Sequence, residues 1–160
     1  MEINVLIEED LDINLDADWL QKIVEMPLKA ENIPETIELS LVITGQERIQ
    51  ELNRDYRGKD SPTDVLSFAM NEQKEEAEEE PVAFIGPPDG LLHLGEVIIS
   101  YPQALIQAQE SGHSLHKELA ALIVHGVLHI LGYDHEKPEM EPAMKAREKA
   151  ILGEIEKELL

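Results

Sequence analysis

The stretch His125-Gly126-Val127-Leu128-His129-Ile130-Leu131-Gly132-Tyr133-Asp134-His135 carries half of the chain's six histidines. His125 and His129 are four positions apart, so a helix sets both imidazoles on one face, about 6 Å apart along its axis. His135 cannot join them on a helix that continues. Ten residues at roughly 100° each leave it about 80° off that face and ~15 Å further along the axis. The helix must therefore end and the chain fold back. Gly132 stands where that break is needed, because glycine accepts the left-handed conformation that ends helices at little steric cost. Three neutral imidazoles make a catalytic zinc set, with the fourth position left for water. The stretch thus predicts an apolar helix ending at a metal site, with one zinc ion per chain held by His125, His129 and His135.

Outward from this helix the periodicities alternate. Ile3 to Ile7 reads as a strand, and Asp16 as the N-cap of a helix to Ala30 that buries Leu20, Ile23, Val24 and Leu28. Ile37 to Ile43 is a second strand, Gln46 to Tyr56 a second helix and Asp64 to Ala69 a third strand. After the breakers Pro81, Gly86, Pro87, Pro88 and Gly90, His93 to Ser100 is a fourth. Pro102 opens a helix that Gly112 closes, and Ser114 caps the helix bearing His125 and His129. Pro142 starts a terminal amphipathic helix with Met144, Ile151, Ile155 and Leu159 on one side. Two βα units, two strands and three helices predict a single α+β domain over residues 1–160. A small mixed sheet of about four strands packs against the metal helix.

Hydrophobic residues make up 42% of the 160, enough for a real core, and no apolar run reaches the ~18 residues of a membrane span. Met1-Glu2-Ile3-Asn4-Val5 has no basic region followed by an apolar stretch, so no signal peptide is expected. With no cysteine, disulfides and thiolate ligands are excluded. The formal charge of −21 argues against nucleic acid at long range, DNA included. The charge is uneven, however. Arg48, Arg54, Arg57 and Lys59 cluster within twelve positions, while the run Glu72 to Glu80 holds six glutamates against Lys74 and reads as a solvated loop.

Written as H-x-x-x-H-x-x-G-x-x-H, the site resembles the zinc spacing of metzincin proteases, except that Gly126 replaces the glutamate that is their general base. The fuller string resembles the signature of the YbeY family of metal-dependent endoribonucleases. Asn53, Tyr56-Arg57-Gly58 and Thr63-Asp64-Val65-Leu66-Ser67-Phe68 are similar to that family's upstream motif. Leu94-Gly95-Glu96-Val97-Ile98-Ile99 is similar to a third motif, with Glu96 where the family usually has aspartate. The resemblance spans roughly residues 46 to 135. It implies a zincin-like fold and cleavage of single-stranded RNA by a cytoplasmic enzyme. The substrates it implies are ribosomal RNA precursors, at the small-subunit 3′ end, with a role in ribosome quality control.

By the same resemblance Arg57 is the functional arginine, whose guanidinium can grip a phosphate or stabilise charge in the transition state. Asp64 is a candidate for orienting Arg57 or a histidine behind the metal shell, where a turn or cap role also fits, and Asp134, beside His135, is a candidate for assisting the metal shell, where a local turn bond also fits. His113 and His116 flank the Ser114 cap and suit a helix-end role; Trp19 suits the core. The general base stays unnamed: a zinc-bound hydroxide and the RNA 2′-hydroxyl as nucleophile are both consistent with these residues. Two other functions remain open. One is a metallohydrolase of another substrate such as a peptide. The other is a ribosome-assembly factor with a mainly structural zinc, whose partners would be small-subunit ribosomal proteins or an assembly GTPase.

Overall fold

The computed structural model describes residues 1–8, 14–70, 91–133 and 137–160. Along the chain these form β1 (Glu2–Ile7), α1 (Ala17–Ala30), β2 (Ile37–Thr44), α2 (Gln46–Arg57), β3 (Val65–Ala69), β4 (Leu92–Ser100), α3 (Tyr101–Ser111), α4 (Leu115–Ile130) and α5 (Glu141–Glu158). The strands lie in the order β1-β2-β4-β3, with β1, β2 and β4 parallel and β3 antiparallel to β4. The architecture is α+β with a mixed four-stranded sheet, as the order of elements predicts.

The period-2 alternation of the strands divides the core in two. Leu39, Leu41 and Ile43 of β2, with Val97 and Ile99 of β4, face a large cluster built with α1, α4 and α5. On the other face Leu66 and Ile98 pack with Ile49 of α2 in a small cluster. α4 is the central helix of the large layer, buried along most of its circumference from Leu119 to Ile130. Its N-terminus is capped by the Ser114 hydroxyl, which accepts from the Lys117 N–H at 3.1 Å. α1 starts the same way, with the Asp16 carboxylate accepting from the Asp18 N–H at 2.9 Å.

Trp19 is half-buried at the margin of the core, where its indole donates to the Leu159 carbonyl at 3.1 Å and its ring meets His116 edge-on. Among the described residues, no helix is long and apolar enough to cross a membrane. The acidic run Glu72 to Glu80 lies outside the described residues.

Candidate metal and phosphate site

Helix α4 shows one half-exposed stripe, Ala121, His125 and His129, among otherwise buried neighbours. The two histidines thus share a face, as the four-residue spacing requires. Behind them the helix lies flat on the sheet at Gly126, where a Cβ would come within 2.7 Å of Val97 Cγ1 and 3.1 Å of Ser67 Oγ. Glycine is the residue this contact admits, which explains why the metzincin glutamate has no place here.

After Ile130 the chain turns as the sequence predicts. Gly132 has φ +113, a conformation that favours glycine, and the Tyr133 N–H reaches back to the Leu128 carbonyl at 3.1 Å. Tyr133 is then pinned. Its hydroxyl donates to Glu31 Oε1 at 2.5 Å, and Glu31 Oε2 accepts from Arg147 Nε at 3.0 Å. The hydrogen bond to Glu31, with burial, holds the Tyr133 hydroxyl above the usual tyrosine pKa. Asp134 and His135 lie outside the described residues, so two of the three expected ligands are placed. Among the described residues no three histidine, aspartate or glutamate side chains gather as a metal-binding group. The placed donors, two imidazoles on one face, suit a borderline ion such as zinc rather than magnesium or calcium, which take oxygen ligands.

A cleft of about 480 Å³ opens beside His125, and Asn53, Arg57, Lys59, Asp64 and Glu148 line it. Its basic wall follows from the end of α2, where Gly58 adopts φ +71 and closes the helix. The buried Asn53 side chain donates to the Ser61 carbonyl at 3.0 Å, bracing the turn that carries Lys59. The cluster of four basic residues is divided by the fold. Arg57 and Lys59 reach this cleft, Arg54 pairs with Asp55 at 3.2 Å, and Arg48 lines a different cavity. That second cavity, about 660 Å³, lies across the sheet and includes Glu96 but no predicted ligand and no Arg57.

Asp64 makes its bonds to the scaffold. Its carboxylate accepts from the Val65 N–H at 2.8 Å and from the Gln107 amide at 3.3 Å. Gln107 also donates to Glu118 at 3.0 Å, and His113 Nε2 lies 2.6 Å from the other Glu118 oxygen. A polar chain thus runs from the cleft wall to the first turn of α4, where His113 engages the helix end. One cleft residue has no counterpart in the sequence reading. Glu148 Oε1 lies 2.9 Å from His125 Nδ1. Its signal was present, since an acidic residue interrupts the apolar side of α5 marked by Met144, Ile151 and Ile155.

The family model described as Endoribonuclease YbeY matches residues 4–156. The chain belongs to the YbeY family. Curated relatives named Endoribonuclease YbeY include one from Dehalococcoides mccartyi, 50% identical over 155 residues that cover 97% of both chains. Another YbeY relative, from Chloroflexus aggregans, is 42% identical and covers 94% of this chain and 93% of its own. The solution structure of a Thermotoga maritima protein matches with a TM-score of 0.56 at 25% identity, covering 98% of this chain and 93% of that one. That match supports a shared α+β fold.

Proposed function

We propose that this YbeY-family chain is a zinc-dependent endoribonuclease cutting single-stranded RNA. Its substrates would be ribosomal RNA precursors, near the small-subunit 3′ end, with a further role in ribosome quality control in the cytoplasm. The name its relatives carry supports the nuclease activity. The observation that carries the reading is the meeting of Arg57 and Lys59 with His125 in one cleft. His125, His129 and His135 would hold the zinc. When bound, zinc supplies Lewis acidity and lowers the pKa of water towards about 7.

The chain's own residues bind and orient the substrate. Arg57 presents a rigid planar fork to a phosphate, and Lys59 adds a point charge on the same wall. Charge that builds on the phosphate oxygens is met by the Arg57 guanidinium. With two cations at the cleft among the described residues, few phosphates are neutralised, and affinity for free RNA is low. Small-subunit ribosomal proteins or an assembly GTPase would supply the rest through effective concentration.

The deciding experiment uses purified protein of verified zinc content on single-stranded and duplex RNA, beside a His129→Ala control. Cleavage of single strands that the control lacks is expected. Equal activity in the control would refute the assignment. The −21 charge favours a second reading, an assembly factor with a structural zinc. In that case zinc binds, His129→Ala lowers stability, and no RNA is cut by either protein. A peptidase is disfavoured by Gly126, which removes the usual base.

A further inference from the structure

α5 turns its apolar side to the core through Met144, Ile151 and Ile155, which are 0–3% exposed. Glu148 falls on that same side, one turn after Met144 and one before Ile151. A carboxylate there loses much of its hydration, with its side chain only 25% exposed. Such a position costs stability unless a hydrogen-bond donor meets the charge. The donor is His125, whose Nδ1 lies 2.9 Å from Glu148 Oε1.

An ionised carboxylate can only accept, so the hydrogen of this contact belongs to Nδ1. A neutral imidazole with its hydrogen on Nδ1 carries the donor lone pair on Nε2. The ring is also held about its χ2 axis by the same bond. The alternative tautomer would put two lone pairs against each other at 2.9 Å.

We propose that Glu148 is a positioning residue for the metal site, fixing the tautomer and ring orientation of His125 so that Nε2 serves as the zinc donor. The assignment rests on the zinc reading above. Its effect is exerted through His125, and α5 becomes part of the site without touching the ion.

The test measures zinc affinity of metal-free protein by competition with a chromophoric chelator, with zinc alone as the probe. Glu148→Ala should weaken binding 10–100-fold. Glu148→Gln keeps an oxygen that accepts the Nδ1 hydrogen and should lose less. Thermal melts of both metal-free variants report folding separately. Cobalt(II) in place of zinc should give a d–d spectrum that shifts in Glu148→Ala and returns towards the parent in Glu148→Gln. In a His125→Ala background, adding Glu148→Ala should change affinity less than twofold. Affinity of Glu148→Ala within threefold of the parent would overturn the proposal, as would a Gln variant weaker than the Ala variant. A parent protein that takes up no zinc would instead overturn the metal reading on which this one stands.

Discussion

Gly126 and Val97 stand so close that a single added carbon on the glycine would come within 2.7 Å of the valine Cγ1. The contact joins the histidine helix to the central part of the sheet, and it decides which catalytic residues this scaffold admits. Gly126→Ala gains about 1 kcal/mol of helix propensity but forces overpacking that costs about 1–3 kcal/mol. A net loss of stability is expected in thermal melts. Gly126→Glu adds a charge to the same contact and should fail to fold rather than gain peptidase activity. A stable, zinc-loaded Gly126→Glu protein would contradict this packing argument.

Arg57→Ala should leave zinc content and melting temperature near the parent values, because the side chain is exposed at the end of α2. RNA cleavage should fall at least about tenfold, on the order of 1.4 kcal/mol. Arg57→Lys should be partly active, since a point charge cannot reproduce two-pronged recognition. Single-turnover rates at saturating RNA read this directly. Loss of zinc in Arg57→Ala would make the residue structural instead.

Elemental analysis of protein purified without chelator should find one zinc per chain, and His129→Ala should lose most of it. Chelator treatment should abolish cleavage while far-ultraviolet circular dichroism stays nearly unchanged. The two hydrophobic clusters are assembled from other residues than the histidines, so the fold is expected to survive removal of the metal. Unfolding on chelation would show that the site is structural.

Tyr133→Phe should lower stability by about 1 kcal/mol, because it removes a hydrogen bond to the Glu31 carboxylate. That corresponds to about 2–4 °C in melting temperature for a chain of this size. Arg147→Ala should cost about 1–2 kcal/mol, since Glu31 is largely buried and keeps only part of its compensation. Calorimetry of the two single variants and the double variant should show non-additivity, as both act on one carboxylate.

Binding to free RNA should weaken with salt along a shallow slope, since Arg57 and Lys59 are the two cations at the cleft among the described residues. Replacing the six glutamates between Glu72 and Glu80 with glutamine should raise that affinity modestly and leave zinc content unchanged. Tight binding to naked RNA at physiological salt would indicate a larger basic surface than this cleft provides.

The sequence made some parts of this legible and left others hidden. Caps such as Asp16 and Ser114, the period of Ile37 to Ile43 and the break at Gly132 are local signals, and each lies where it was read. The helix face shared by His125 and His129 is local for the same reason. Contacts between distant segments are not written in any period. Glu148 meets His125 across 23 positions, and Glu31 meets Arg147 across 116. The division of the basic cluster also depended on tertiary placement, since the end of α2 turns Arg57 and Lys59 one way while Arg48 faces the other cavity. Asp64 could be flagged as polar and near Arg57, but its bond to Gln107 required the docking of α3.

Arg147 and Glu148 are consecutive on α5, yet one clasps Glu31 and through it Tyr133, while the other holds His125. A single fraying event in α5 would therefore release both sides of the helix break at once. Amide exchange in the middle of α5 and the dissociation rate of zinc should then respond together to denaturant, as one cooperative opening. The closing helix would set how long the protein keeps its metal.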